Sequence, residues 1–212
     1  MIEALKTIEY RGYTIKIYQD EGTENPIQEW DMLGEFVCWH RRYNLGNSKR
    51  FDNPDELKAY AKKTRSILIP LYMYEHSGIA LSLSNDGYPF NDRWDAGQLG
   101  YVLIDRKKAL KEYNAKIFTK ALKDKAIETI RKEVELYNEF LRGEVYRFVI
   151  ENKKGEMTDS CGGCYGLEEI IEEVKLEIDN EIKNVIKEHC QKVKNWIKYD
   201  VPLGNRKKLS AF

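Results

Sequence analysis

Two stretches of this 212-residue chain constrain its fold more than any others. From about Ile117 to Leu141, the apolar residues Phe118, Leu122, Ile127, Ile130, Val134, Tyr137 and Leu141 recur at helical spacing, and Gly143 supplies a stop. From Leu167 to about Ile197, a second stripe runs through Ile170, Ile171, Val174, Ile178, Ile182, Ile186, Val193 and Ile197. Two long helices, each apolar on one side, need a partner face to cover them. The rest of the chain has the strands to provide it.

In "TIEYRGYTIKIYQD", Ile8 and Tyr10 and then Tyr13, Ile15 and Ile17 alternate with polar neighbours around Arg11-Gly12, which predicts a hairpin. "EGTENPIQEWDMLGE" has turn residues and little periodicity, so a loop is expected up to the strand-like "FVCW". Asn53, Pro54 and the acids after them predict a short capped helix over "NPDELKAYAKK". "SILIPLYMYEHSGIALSLS" reads as two strands joined between Glu75 and Gly78, and Pro70 in the first implies an edge position or a bulge. "GYVLID" and "EVYRFVIEN" are further strands, and Asp105 can cap "RKKALKEY". The class expected is α+β, a mostly antiparallel sheet packed against two long helices in a single domain over residues 1–200, with 201–212 a flexible tail.

Charge narrows the function. Lys plus Arg equals Asp plus Glu at 35 each, so the chain as a whole has no electrostatic footprint for nucleic acid. "HRRYNLGNSKR" mixes groups that can contact phosphates and stack bases, but "FDNPDE" beside it cancels much of that charge, and direct nucleic-acid binding is not favoured. No run approaches the roughly 18 apolar residues of a membrane span, and the N-terminus lacks the pattern of a signal peptide. A cytoplasmic protein is expected, with Cys38, Cys161, Cys164 and Cys190 as reduced thiols.

Cys161-Gly-Gly-Cys164 is the most motif-like feature, since thiols at this spacing can chelate zinc or cycle through a disulfide. The later candidates, His189 and Cys190, are adjacent in one helix and point about 100° apart. His189 also lies on an apolar stripe, where a core histidine is the simpler reading. A Gly-rich turn with two incidental thiols is therefore expected, with no metal and no cofactor.

Chemistry-bearing residues gather instead at predicted strand ends: Trp39, His40, Arg41 and Arg42 after one strand, His76 after another, and Trp94, Asp95 and Gln98 before a third. Trp30-Asp31 repeats the Trp-Asp pairing. His40 and His76 can serve as general bases oriented by Asp31 or Asp95, and an arginine can hold a phosphate or carboxylate. No phosphate-cradling loop, nucleophile elbow, zinc-protease motif or dinucleotide fingerprint accompanies them. The acids and bases do not reduce to one compelling trio, so a binding surface is preferred over a catalytic one. His40, His76, Trp94 and Asp95 are expected in one region, because a loop leaving an antiparallel sheet emerges at one of only two edges.

"WDMLGEFVCWHRRYNLG", "ILIPLYMYEHSGIALSLS", "RWDAGQLGYVLID", "EVELYNEFLRGEVYRFVIE" and "DSCGGCYG" together resemble a family of small proteins encoded by phages and mobile elements of Gram-positive bacteria. In that family a Trp and a Phe more commonly stand where this chain has Gly162 and Cys164, so only Cys161 belongs to the resemblance. The resemblance implies a setting rather than a reaction. It suggests an accessory protein of the host-cell cytoplasm that binds a bacterial host protein or protein–nucleic acid complex, such as an inhibitor of a defence system that targets nucleic acids. The alternative is a small hydrolase or nuclease using His40, His76, Asp31 and Asp95.

Overall fold

A computed structural model describes residues 3–84, 90 and 94–202. The architecture is α+β, as the sequence predicts, but with two four-stranded antiparallel sheets where one was expected. Contacts along the chain divide it into two compact units. One comprises the described parts of Met1–Tyr18, Phe148–Cys161 and Leu167–Phe212; the other comprises Gln19–Arg147 and Gly162–Gly166.

The first sheet has the order β1-β2-β7-β8. β1 (Lys6–Tyr10) and β2 (Tyr13–Gln19) form the predicted hairpin, with Ile8 opposite Ile15 and Tyr10 opposite Tyr13. Arg11 and Gly12 both have positive φ, 49° and 85°, as a two-residue turn of the hairpin-favoured hand requires. β7 (Val145–Glu151) turns through Asn152–Glu156 into β8 (Met157–Tyr165). The "DSCGGCY" stretch is therefore an edge strand rather than a turn.

The long helix α5 (Leu167–Tyr199) covers part of this hairpin. Lys6 pairs with Glu168 at 3.1 Å near its start, and Tyr10 and Arg11 each reach Asp179 at 3.1 Å one-third of the way along. Over that span Ile170, Ile171, Val174 and Ile178 are buried, as are Ile15, Ile17, Phe148 and Ile150 on the strands. The hairpin turns at Arg11, but the helix continues for about 30 Å from Asn180 to Tyr199.

The second unit is built on a sheet of order β3-β6-β4-β5, formed by β3 (Glu35–Cys38), β4 (Ile67–Glu75), β5 (Ile79–Leu83) and β6 (Ala96–Ile104). One face packs on α2 (Pro54–Thr64) through Val37, Leu103, Leu57 and Ala61. The other packs on α1 (Pro26–Glu29), α3 (Arg106–Glu112) and α4 (Lys120–Leu141) through Phe36, Leu71, Val102, Ile27, Ala109, Ile130 and Tyr137. α2 and α3 carry the expected caps, Asn53 and Asp105. α1 lies where a loop was expected: Asn25 accepts from Ile27 N, and Pro26 supplies the first helical position.

Pro70 sits in an interior strand, not at an edge. Its carbonyl accepts from Ser84 N at 3.0 Å, so the missing Pro70 donor falls just past the last residue of β5. The register of β4 on β6 shifts one step later, between Leu71 and Tyr72, which is the bulge the sequence offered as the alternative. Within the expected tail, Val201 is buried, and residues 203–212 lie outside the described set.

Candidate functional site

The second unit carries a cleft of about 430 Å³ where β3, β4 and β6 meet their loops, lined by His40, Arg42, Glu75, Trp94, Asp95 and Gln98 over a floor that includes Met73 and Leu99. Strand alternation sets which residues reach it. Phe36 and Cys38 point to the α4 face and Val37 to the α2 face, so Trp39, the next in that alternation, packs with the α2 cluster, edge-on to Tyr101 at 6.5 Å. His40 returns to the cleft side.

The His40 ring is held by its own turn. Its Nδ1 accepts from the backbone N–H of Arg42 at 3.4 Å and Tyr43 at 3.3 Å, and the ring stacks on Tyr43 at 5.2 Å. With Nδ1 accepting, the neutral ring carries its proton on Nε2. Tyr43 in turn donates to Glu75 at 2.7 Å, which lifts the phenol above its ordinary value of 10.0, and Arg42 pairs with the same carboxylate oxygen at 3.3 Å.

Asp95 begins the opposite wall. Its carbonyl accepts from Glu75 N at 2.8 Å, extending the β4–β6 ladder by one step, and its carboxylate meets His76 Nδ1 at 3.1 Å. Ser77, at φ 60°, makes the tight turn that holds His76 beside β6. Both side chains of the pair face solvent, at 66% and 42% exposure. Trp94 is 95% exposed at the rim.

The structure thus brings His40, Arg42, Trp94, Asp95 and Gln98 to one cleft and ties His76 to it through Asp95. Trp39 and Arg41 are not among its lining, since Trp39 serves the α2 face and Arg41 is exposed. Asp31 lies in a separate depression of about 320 Å³ with Trp30, Asn47 and Lys108. Lys108 binds it at 2.7 Å and also donates to the Met32 carbonyl, and the ammonium holds the Asp31 carboxyl below its usual range. Glu75 is the lining residue the sequence reading passed over. It directly follows the predicted strand, one residue before His76, and ends the observed β4, so the same strand-end argument includes it.

Cys38 is not a reactive group of this region, because burial pushes its thiol up to about 12 and its Sγ donates to the Leu45 carbonyl at 3.5 Å. Part of the basic loop is also used internally. Arg50 lies over the rings of Phe51 and Tyr60 at 4.5 and 4.4 Å and pairs with Glu35 at 3.4 Å. His189 is exposed on α5 rather than in a core, as is Cys190, because the helix there has run beyond its sheet. Among the described residues no group of three or more His, Cys, Asp or Glu side chains is placed to hold a metal ion, and no helix is long and apolar enough to cross a membrane. No protein-family model, curated protein or solved structure matches the chain.

Proposed function

We propose that this protein is a phage or mobile-element accessory protein that works inside the host cell by binding another protein through the Trp94 cleft. The observation that carries the reading is a tryptophan 95% exposed at the rim of a cleft whose walls hold His40, Arg42, Glu75 and Asp95, with His76 paired to Asp95 beside it. Indole and guanidinium groups dominate the binding energy of protein interfaces, and a rim of both charge signs gives specificity. A phosphate backbone fits less well, because Arg42 is already paired with Glu75 and Asp95 faces the same space. The partner class that the resemblance suggests is a host protein or protein–nucleic acid complex of a nucleic-acid-targeting defence system.

Affinity capture of host proteins with matched variants tests this. The wild-type chain should retain a stoichiometric partner, whereas Trp94→Ala, and His40→Ala combined with Asp95→Ala, should lose it with an unchanged thermal midpoint. Retention of the same partner by all variants would remove the cleft from the proposal.

The His76–Asp95 pair supports a second reading, hydrolysis. An imidazole held at Nδ1 by a carboxylate presents Nε2 as a general base. That reading requires turnover of an ester or phosphodiester by the purified chain, lost in His76→Gln and in Asp95→Asn.

A further inference from the structure

The sheet of the second unit has two outer edges, and an asparagine closes each. On β5, Asn138 meets both Leu81 N, at 2.7 Å, and the Leu81 carbonyl, at 2.8 Å. On β3, Asn47 does the same for Phe36: its Oδ1 accepts from Phe36 N at 2.8 Å and its backbone N–H donates to the Phe36 carbonyl at 3.0 Å. A third edge lies inside the sheet and has no such closure among the described residues. β3 has four residues and β6 has nine, so the start of β6 runs on past the end of β3.

The geometry of this gap follows from the ladder on either side. Trp39 N donates to the Leu99 carbonyl at 3.2 Å, and the chain then turns away through His40, Arg42 and Tyr43. On the other side β6 stays paired with β4 as far as Ala96. Glu75 N donates to the Asp95 carbonyl there, so by antiparallel alternation Gly97 also faces β4, whereas Ala96 and Gln98 point their N–H and C=O groups into the gap. Gly97 and Gln98 are exposed although β6 is an interior strand.

Two donors and two acceptors at ladder spacing, in line with a strand that has stopped, match the backbone of another strand. We infer that the cleft takes an extended segment of the partner protein, paired antiparallel to Ala96–Gln98 as a continuation of β3. This inference rests on the reading of the cleft as a protein-binding surface and specifies what enters it. Strand addition draws affinity from main-chain bonds and specificity from the pocket that alternate side chains enter. The partner residue opposite Gly97 shares its face with Met73, the β4 neighbour of Gly97, and with the cleft floor at Leu99. Gly97 leaves room for that side chain, since a Cβ there meets nothing within 4 Å. The cleft sets one cation, Arg42, against two carboxylates, Glu75 and Asp95. Arginine therefore suits the central position, with its stem on the apolar floor and its guanidinium between Asp95 and the Trp94 indole.

Hydrogen exchange of the full chain, followed by NMR with the capped pentapeptide acetyl-Thr-Val-Arg-Val-Thr-amide as the probe, tests the pairing. In the free protein the amides of Ala96 and Gln98 should exchange about tenfold or more faster than that of Gly97, and the peptide should slow them. N-methylation of both valines, whose N–H groups face β6, should abolish binding. N-methylation of the arginine, whose N–H faces away, should leave it within about threefold. Asp95→Asn should weaken binding about tenfold. Ala96 and Gln98 amides already protected in the free chain would show the gap to be filled, and protection that grows with protein concentration alone would put a second copy there. Equal binding of the valine-methylated peptide, or no binding at about a millimolar, would remove strand pairing. Each of these results overturns the inference and leaves capture of a host protein, tested with Trp94→Ala, to be decided separately.

Discussion

Glu133 shows what a single carboxylate does inside the second unit. Its two oxygens accept from Leu33 N at 2.6 Å and Gly34 N at 3.0 Å, fastening the entry to β3 onto α4. Burial nevertheless dominates those bonds and lifts the group above its ordinary value of 4.5. The folded protein therefore holds this proton at a pH where the unfolded chain has lost it. Its contribution to stability is full below about 4.5 and declines as pH rises through the raised value. Glu133→Gln should flatten that decline, visible as a gap between wild-type and variant urea midpoints that changes as pH rises from the ordinary carboxylate value through the raised one. Asn138 is a second such fastening: its side chain donates to the Leu81 carbonyl at 2.8 Å and accepts from Leu81 N at 2.7 Å, closing the open edge of β5. Asn138→Ala strands both backbone groups and should cost about 2 kcal/mol in chemical denaturation. Neither role was legible in the sequence. An acid and an amide on an otherwise ordinary helix carry no sign of which backbone groups, 57 and 100 residues away, they will meet.

At the scale of elements, periodicity and caps were informative and packing partners were not. Both long helices, the capped α2 and α3 and the Arg11-Gly12 hairpin lie where local signals put them, because cap, turn and stripe are each written within a few residues. α1 was missed because a single turn has no period to detect. The gathering of His40, Trp94 and Asp95 followed from strand ends alone, whereas the exclusion of Trp39 and Asp31 needed the strand's face and a lysine from α3. Glycines in β6 separate the two kinds of information. A Cβ at Gly100 would fall 2.1 Å from the Val37 carbonyl oxygen and 2.9 Å from the Cys38 Cα, while one at Gly97 would meet nothing within 4 Å. Gly100→Ala should therefore prise β3 from β6 and destabilise the protein by about 3 kcal/mol or more. Gly97→Ala, on the cleft itself, should leave the thermal midpoint within about 2 °C of wild type. A Gly100→Ala protein with wild-type stability would mean that β3 is not seated on β6 as described.

For the whole molecule, the sequence indicated the class but not the number of sheets, because strand alternation does not say which strands will be neighbours. Chain order and spatial order differ most in the first unit, whose sheet joins the opening hairpin to strands that begin at Val145. The second unit is nearly continuous: apart from short ends of β2, β7 and β8, its helices and strands lie between Pro26 and Ile104 or in α3 and α4. A fragment spanning residues 19–147 should accordingly keep a cooperative thermal transition, and loss of that transition would show that Gly162–Gly166 is needed to complete it. The same division sets an order on the ribosome. About 150 residues separate the end of β2 from the start of α5, so at elongation rates of about 5–20 residues per second the newly made hairpin waits roughly 10–30 s for the helix that covers it. During that interval Ile15 and Ile17, fully buried in the finished protein, belong to a nascent strand without its cover. This is the point in the life of the chain at which a holdase chaperone would find it.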